Sequence, residues 1–174
     1  MNNHQLINSD SGDQEYYTDR LIIEAARNTM GSINLDPASS LRANSLIRAD
    51  NIYTKQDDGL SMDWFGNVWM NHPFGRKENP LWINKLVSEY YKQNIEQAMC
   101  ICFAATSEGW FRPLHQFPQC YLIPRTNYYK PDGTKKVGVT KGSVVTYLGE
   151  NIDRFAKEFE RLGEIKVPYS YLRR

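Results

Sequence analysis

Hydrophobic positions along the chain alternate between helical spacing and short apolar runs. Helical spacing of the apolar residues predicts the helices. Thr18 is the predicted cap of the first helix, Gly31 ends that helix, and Gly163 ends the last helix. The predicted helices span residues 18–30, 39–49, 80–92, 108–117 and 152–162. The short apolar runs predict strands at residues 32–35, 67–70, 98–104, 120–123 and 143–147.

This alternation of strands and helices predicts the fold class. It is typical of an α/β protein with an open, mostly parallel sheet and helices on both faces. The run at residues 98–104 is almost entirely apolar, as expected of a parallel strand that is buried on both faces. Residues 1–14 are polar and predict a flexible N-terminal segment, which leaves residues 15–174 as a single domain.

Composition narrows the class of protein. The 174 residues are 41% hydrophobic and 24% charged, which supplies enough apolar material for a packed core. A net charge of +1 excludes a strong overall field, so contact with nucleic acid would need a local basic patch. Three cysteines, no signal-peptide core and no membrane-length apolar run predict a soluble protein of the cytoplasm. The histidines and cysteines form no ligand-spaced cluster, so no metal is expected.

Two polar segments follow predicted strands, where an open α/β sheet binds its ligands. One comprises residues 35–40 and the other is Asn71-His72-Pro73-Phe74. The Asn71 side chain and the His72 backbone carbonyl can each accept a hydrogen bond from an exocyclic amine. Phe74 offers a flat face for stacking on a base. The alternative is a plain strand-to-helix turn, in which Asn, Pro and Gly are common.

Several short motifs occur in a definite order along the chain. They are Tyr16-Tyr17-Thr18, Leu35-Asp36-Pro37-Ala38-Ser39-Ser40 with Ala43-Asn44, Asp57-Asp58-Gly59-Leu60, Trp64-Phe65-Gly66-Asn67-Val68-Trp69-Met70-Asn71-His72-Pro73-Phe74-Gly75 and, more weakly, Thr106 with Trp110. In this order and spacing, over residues 16–163, the chain resembles the phage-type DNA N-6-adenine methyltransferases, which use S-adenosylmethionine. The resemblance implies the Rossmann-like fold of class I methyltransferases.

The resemblance also implies which residues form the site. The family's Asn-Pro-Pro-Tyr/Phe motif holds the amino group of the target adenine, with its aromatic residue stacked on the flipped base. The implied catalytic residues are Asn71, His72, Pro73 and Phe74. The implied cofactor-binding residues are Tyr17, Thr18, Asp36, Pro37, Ala38, Ser39 and Asn71. Asp36 would then accept a hydrogen bond from either a ribose hydroxyl or the methionyl ammonium.

The chain departs from the family pattern at three places. His72 replaces the first proline of the motif; the functional group there is the backbone carbonyl, so histidine can serve with some loss of rigidity. Asp19 stands where a proline often follows the threonine, and the Phe-x-Gly-x-Gly cofactor loop of methyltransferases at large is absent. His72 has two interpretations: a proton acceptor or, in better agreement with its position, a structural or stacking variant.

The implied reaction requires little from the protein beyond positioning. The amino group of adenine is a poor nucleophile because its lone pair is delocalised into the ring, and two acceptors on its hydrogens restore nucleophilicity. The sulfonium of S-adenosylmethionine is already a strong electrophile with a neutral leaving group. Positioning and electrostatics are therefore the expected contributions of the protein.

A basic segment at residues 125–141 is the predicted DNA-binding element. Its predicted DNA contacts are Arg125, Lys130, Lys135 and Lys136. Lys141 adds a further cation, and Tyr128 and Tyr129 lie among these charges, a composition that suits following a phosphate backbone and wedging open a duplex. In the family an arginine follows the strand near the position of Arg125. The alternative is an ordinary solvated hairpin.

Other residues with reactive or aromatic side chains are assigned to the interior. Those expected in the core are Trp64, Trp69, Cys100 and Cys102, with the two cysteines on one buried face. His115 is expected to be partly buried in a helix, without a role in the site. Trp110 is either a core residue or a residue at the mouth of the pocket.

The leading hypothesis is transfer of a methyl group from S-adenosylmethionine to the adenine amino nitrogen in DNA. The same geometry would serve any exocyclic amine, so a methyltransferase acting on cytosine or on RNA is the first alternative. A non-catalytic nucleic-acid-binding protein that keeps the fold is the second, motivated by His72 and the missing glycine-rich loop. Little sequence is left for a separate target-recognition domain, which predicts modest sequence specificity.

Overall fold

The computed structural model describes residues 17–126, 128, 129, 134 and 140–173, and the predicted flexible segment at residues 1–14 lies outside them. The helices are α1 (Arg20–Met30), α2 (Leu41–Ile47), α3 (Glu78–Tyr91) and α4 (Ile152–Phe159), with 3-10 helices η1 (Gly109–Gln116) and η2 (Tyr171–Arg173). The strands are β1 (Leu35–Asp36), β2 (Asn51–Ile52), β3 (Gly66–Met70), β4 (Ile95–Phe103), β5 (Gln119–Leu122), β6 (Ser143–Leu148) and β7 (Gly163–Lys166). Within these described ranges, no helix is long and apolar enough to cross a membrane.

The strands form one seven-stranded sheet in the order β2-β1-β3-β4-β6-β5-β7. β1 is parallel to β2 and β3, and β3 is parallel to β4. β6 is antiparallel to β4 and β5, and β7 is antiparallel to β5. Five strands therefore share one direction, while β6 and β7 run the opposite way. The carboxyl ends of β1, β3 and β4 consequently lie at the same edge of the sheet as the amino end of β6.

Helices cover both faces of the sheet, as predicted. Along β4, Met99 and Ile101 pack in one core cluster with α1 and α4. Ala98, Cys100 and Cys102 pack in the other cluster with α3 and η1. All five side chains are fully buried, which explains why this strand is apolar on both faces. The prediction that the two cysteines share one buried face is confirmed.

Two of the predicted helix ends are wrong. The side chain of Asp19, not that of Thr18, caps α1 by accepting from the Leu21 N–H at 2.9 Å. The helix predicted at residues 152–162 ends at Phe159, and Gly163 begins β7 instead of closing the helix. Among the described strands, β7 lies at the edge of the sheet and pairs with β5.

The helix predicted at residues 108–117 is a 3-10 helix that contains Pro113, which lacks the N–H that an α-helix would use. Because side chains three apart share a face in this geometry, Phe111 and Leu114 are buried together. His115 follows them and is exposed, so the prediction that it is partly buried is wrong. Its Nε2 lies 2.9 Å from the Thr106 carbonyl oxygen.

The two tryptophans around β3 are both in the core, as predicted. Trp64 is 2% exposed and Trp69 is fully buried. They belong to different core clusters, on opposite faces of the sheet. They therefore position β3, which leads directly into the Asn71 segment, from both sides.

Candidate active site

A cavity of about 210 Å³ lies at the edge of the sheet where β1 and β3 end. The two strands are parallel neighbours, with Leu35 paired to Val68, so the segments that follow them emerge side by side. Both polar segments predicted from the sequence therefore reach the same cavity. The predicted residues that line it are Tyr17, Thr18, Asp36, Pro37, Ala38, Ser39, Asn71, His72, Pro73 and Phe74.

The other walls come from residues that had no predicted role in the site. They are Ser40, Ala43, Leu46, Ile47, Thr54, Lys55, Asp58, Gly59 and Trp82. Asp58 and Gly59 belong to one of the family motifs, and this motif could have indicated that they lie at the site. Leu46 and Trp82 show ordinary helical periodicity, which does not distinguish a side chain that faces the core from one that faces a cavity.

Asp36 is a buried carboxyl at the end of β1 and is only 1% exposed. Its Oδ1 accepts a hydrogen bond from the Ala38 N–H at 3.1 Å. Burial raises the pKa of Asp36 to about 7, and the nearby Ser39 hydroxyl and the Ala38 N–H oppose this shift only in part. Ser39 Oγ is itself buried and has no well-aligned hydrogen-bond partner among the residues that the structure describes. We call Asp36, Pro37, Ala38 and Ser39 the β1 wall; its polar groups would gain from a donor or a cation supplied by a ligand.

Gly59, which also lines the cavity, packs directly against the β1 wall. A Cβ atom on Gly59 would lie 2.0 Å from the carbonyl oxygen of Pro37 and 3.3 Å from the Trp82 ring. The carbonyl oxygen of Gly59 accepts a hydrogen bond from Trp64 Nε1 at 2.8 Å within the core. The loop around Gly59 is thus held from behind, and only glycine permits so close an approach to the wall.

Asn71 follows β3 directly and lines the cavity together with the β1 wall. Its Nδ2 donates a hydrogen bond to Thr18 Oγ1 at 3.2 Å. Thr18 precedes α1 and is buried, at 4% exposed. The hydrogen bond therefore joins the start of α1 to the segment after β3, two parts of the chain that are distant in sequence. The Asn71 side chain thus donates through Nδ2 to Thr18, and its acceptor atom is Oδ1.

His72 is only 2% exposed, and its ring is held by Asn79 in the first turn of α3. Nε2 lies 3.0 Å from Asn79 Oδ1, an arrangement that requires the proton to be on Nε2. Burial lowers the pKa of His72 to about 4, while the hydrogen bond to Asn79 opposes the shift. His72 is therefore neutral at neutral pH, and its buried Nδ1 has no hydrogen-bond partner among the described residues. These contacts favour the structural interpretation of His72 over that of a proton acceptor.

An aromatic cluster extends from the cavity towards the ends of β4 and β6. The ring centroid of Phe74 lies 4.6 Å from that of Phe103 and 6.0 Å from that of Tyr128. Lys141 is exposed, and its Nζ lies 5.3 Å from the centroid of the Phe103 ring, within cation–π range. We call Phe74, Phe103, Tyr128 and Lys141 the aromatic rim. It places aromatic surface and a solvated cation side by side next to the cavity.

The structure describes only part of the predicted basic segment. Arg125 is exposed and does not line the cavity. Lys130, Lys135 and Lys136 lie outside the described residues. Tyr128 is 3% exposed and its hydroxyl lies 2.7 Å from Ser143 Oγ, so its side chain is buried within this segment. The backbone of Tyr129 pairs with that of Tyr17 through two hydrogen bonds of 2.9 and 3.0 Å, which ties this segment to the cavity.

Trp110 has a core position, one of the two alternatives left by the sequence. It is not among the residues that line the cavity, and its ring packs against Phe111 at a centroid distance of 5.6 Å. It is partly buried against the cluster that contains η1.

Metal ligation was not expected from the sequence. The described part of the chain contains no group of three or more side chains suited to ligate a metal ion.

Comparison with known proteins identifies the family. The chain matches the family described as DNA N-6-adenine-methyltransferase (Dam) over residues 7–151. No curated protein and no solved structure matches it. The matched range covers most of the chain and includes both segments that meet at the cavity. The protein therefore belongs to the DNA N-6-adenine-methyltransferase family, as its motifs indicated.

Proposed function

We propose that this family member transfers the methyl group of S-adenosylmethionine to the exocyclic amino nitrogen of adenine in DNA. The observation that carries the proposal is that the β1 wall and the Asn71 segment line one cavity. A cofactor held by the wall and an amine held by Asn71 would share a single cavity. Bringing two reactants together in this way is a large part of what a methyl-transfer enzyme must do.

The fold that we propose is the Rossmann-like fold of class I methyltransferases, with residues 15–174 forming a single methyltransferase domain. The described strands belong to one open sheet with helices on both faces, and five of them share one direction. The cavity lies at the carboxyl ends of two parallel strands, where open α/β sheets bind their ligands. These features support the proposed fold.

The chemistry of the cavity lining suits S-adenosylmethionine. Asp36 is a buried carboxyl that accepts from the Ala38 N–H, and it can accept in addition from a ribose hydroxyl or from the methionyl ammonium. Leu46, Ile47 and Trp82 add apolar surface to the same cavity. The proposed cofactor contacts are Tyr17, Thr18, Asp36, Pro37, Ala38, Ser39 and Asn71. When bound, the cofactor supplies an electrophilic methyl group on its sulfonium.

Two carbonyl oxygens are proposed to hold the adenine amino group. Asn71 Oδ1 accepts from one amino hydrogen and the backbone carbonyl of His72 accepts from the other. Both bonds draw the nitrogen lone pair out of the ring, which raises the nucleophilicity of the nitrogen. The bond from Asn71 Nδ2 to Thr18 supports this role because it holds the amide in one orientation. Pro73 restricts the backbone of the same loop.

No strong base is required for the proposed reaction. After transfer, the methylated nitrogen carries a positive charge and releases a proton readily, so water can accept it. The His72 side chain is poorly suited to this task because its pKa is lowered to about 4 by burial and its Nε2 proton is engaged by Asn79. The contribution proposed for His72 is therefore its backbone carbonyl.

DNA is proposed to approach across the aromatic rim. Phe74 lines the cavity and would stack on an adenine that has been extruded from the duplex. Lys141 beside Phe103 would contact a neighbouring phosphate, and exposed Arg125 would add a second phosphate contact. Lys130, Lys135 and Lys136 are proposed to extend the same contact. Contacts made by short loops predict modest sequence specificity, which a sequencing-based methylation map would measure.

Incubation with labelled S-adenosylmethionine and unmethylated DNA, followed by digestion to nucleosides, tests the proposed function. We expect label in N6-methyladenine and none in RNA treated in parallel. Label in methylated cytosine, or in RNA, would redirect the proposal to one of the other amino methyltransferases. Absence of cofactor binding by calorimetry, together with intact DNA binding, would favour a non-catalytic nucleic-acid-binding protein.

A further inference from the structure

Two groups of the loop that carries the motif, the His72 side chain and the Gly75 carbonyl oxygen, form hydrogen bonds with one residue outside the loop. Asn79, in the first turn of α3, accepts from His72 Nε2 at 3.0 Å through its side chain. The backbone N–H of Asn79 donates to the carbonyl oxygen of Gly75 at 3.0 Å. Asn79 is 8% exposed and does not line the cavity. It therefore holds the loop from behind, where it has no access to a ligand in the cavity.

The ring of His72 is fixed by packing as well as by this hydrogen bond. It lies edge-on to Phe74, with ring centroids 5.5 Å apart, and is tilted by 33° against Trp82 at 6.4 Å. Both of these aromatic neighbours line the cavity. A displacement of the imidazole would therefore move the His72 backbone and disturb the ring proposed to stack on the base.

We propose that Asn79 is a positioning residue for methyl transfer, acting through the His72 side chain to hold the His72 carbonyl where it can accept from the adenine amine. The inference rests on the proposed function of that carbonyl. Histidine lacks the pyrrolidine ring that restricts the backbone of proline. The buried hydrogen bond from the His72 side chain to Asn79 supplies a restraint in its place. His72 lies in a loop, but its side chain is thus held by a residue of the regular helix α3.

The first test is kinetic. Asn79→Ala removes the acceptor, and we expect kcat for methyl transfer to fall roughly tenfold or more, because small displacements of reacting groups are costly. The KM for S-adenosylmethionine should change much less. Asn79→Asp keeps an acceptor for His72 Nε2–H and should retain most of the activity. Asn28→Ala is the matched control, since Asn28 is an exposed residue that bonds Glu158 on the surface.

A double-mutant comparison separates this role from a general loss of stability. His72→Pro supplies backbone rigidity without the side-chain bond, so Asn79→Ala should have little further effect on kcat in the His72→Pro background. An equal fall in kcat in both backgrounds would show that Asn79 does not act through His72 and would overturn the inference. Unfolding curves for each variant provide the comparison of stability.

Nitrogen-15 NMR of the imidazoles gives a readout independent of activity. We expect His72 to remain neutral from pH 6 to 8 in both proteins, because burial lowers its pKa with or without Asn79. The wild type should keep the proton on Nε2, and Asn79→Ala should lose this fixed tautomer. An unchanged His72 spectrum in Asn79→Ala would overturn the inference. A wild-type protein that transfers no methyl group would instead overturn the proposed function, whereas a fully active Asn79→Ala variant would overturn only the positioning role.

Discussion

The two sides of the cavity differ in how they could recognise a ligand. The β1 wall carries a buried carboxyl, since Asp36 is 1% exposed, and Gly59 is packed so closely against the wall that a Cβ atom would collide with Pro37. The aromatic rim joins partly buried Phe74 to Lys141, whose ammonium group is exposed to solvent. One side thus offers polar groups withdrawn from water, and the other offers aromatic surface next to a solvated charge.

This difference predicts how each side responds to substitution. A buried polar group or a close backbone contact concentrates its effect in a few atoms, so a single change should be felt strongly. An exposed cation shares its attraction for phosphate with other cations and is screened by salt, so a single change should be small. The β1 wall should therefore be sensitive to single changes, and the aromatic rim should tolerate them.

The largest effect is expected at Asn71, which lies between the two sides. Asn71→Ala removes the oxygen proposed to accept from the adenine amine, and kcat should fall by about a hundredfold or more, as when a donor to a developing charge is removed. Transfer of labelled methyl groups at saturating cofactor measures this, with circular dichroism as the check on folding. Asn71→Asp retains an acceptor oxygen and should keep more activity than Asn71→Ala. Near-normal turnover by Asn71→Ala would show that this loop does not hold the amine.

The next effect is expected at Gly59, which packs against the β1 wall. Gly59→Ala places a Cβ atom 2.0 Å from the Pro37 carbonyl oxygen, so the wall or the loop must shift. We expect a loss of about 1–3 kcal/mol in the free energy of unfolding, together with weaker binding of S-adenosylmethionine by calorimetry. Gly109→Ala is the matched control because a Cβ there meets no atom of the described residues within 4 Å. Equal stability and cofactor affinity in the two variants would contradict the tight packing of the wall.

Asp36 gives the wall a pH dependence of known sign. Its pKa is about 7 in the folded protein and 3.8 ordinarily, so between these values the folded protein retains a proton that the unfolded chain releases. The free energy of unfolding therefore falls as pH rises through this window and levels off above pH 7. Asp36→Asn removes the titrating group without removing the side-chain oxygen that accepts from Ala38.

We accordingly expect Asp36→Asn to stabilise the unliganded protein at pH 8 relative to the wild type. The difference in free energy of unfolding should grow by on the order of 2 kcal/mol between pH 5 and pH 8. Denaturant titrations at the two pH values measure it, and cofactor affinity at pH 8 should be reduced in the same variant. Asp63→Asn, at an exposed position, serves as the control. A pH-independent difference between Asp36→Asn and the wild type would contradict the buried, titrating carboxyl.

The smallest effect is expected at the aromatic rim. Lys141→Ala should weaken DNA binding only a few-fold and lower the slope of log affinity against log salt by about one, as for the loss of one phosphate contact. Fluorescence anisotropy of labelled duplex DNA over a range of salt concentrations measures both quantities. Lys92→Ala is the matched control, since Lys92 is exposed after the end of α3 and does not line the cavity. The same salt slope in both variants would remove Lys141 from the DNA contact.

The sequence predicted the main polar residues of the site because they occur in two short strings. Asp36 to Ser39 and Asn71 to Phe74 each follow an apolar strand, and ligand sites lie at the carboxyl ends of such strands. Leu46 and Trp82 were missed as lining residues for the opposite reason. They have the helical spacing of core residues, and the cavity that exposes them exists only after the helices are packed.

Errors in predicted exposure have the same origin. Tyr128 belongs to a basic segment interpreted as a DNA-binding element or a solvated hairpin, yet its ring is buried against Phe74 and its hydroxyl contacts Ser143. His115 was expected to be partly buried, but the 3-10 geometry of η1 turns it outward. In both cases the exposure of the side chain depends on a partner or a helical period that local composition does not specify.

By itself, the sequence determined the alternation of helices and strands, the family and the two strings of polar residues, because each of these is written in contiguous residues. Tertiary structure decided the bond from Asn71 to Thr18, the close approach of Gly59 to Pro37 and the support of His72 by Asn79. Each of these contacts joins segments whose separation depends on how strands are ordered and helices are packed. Local patterns cannot specify such distances, since they arise only when the whole sheet and its helices come together.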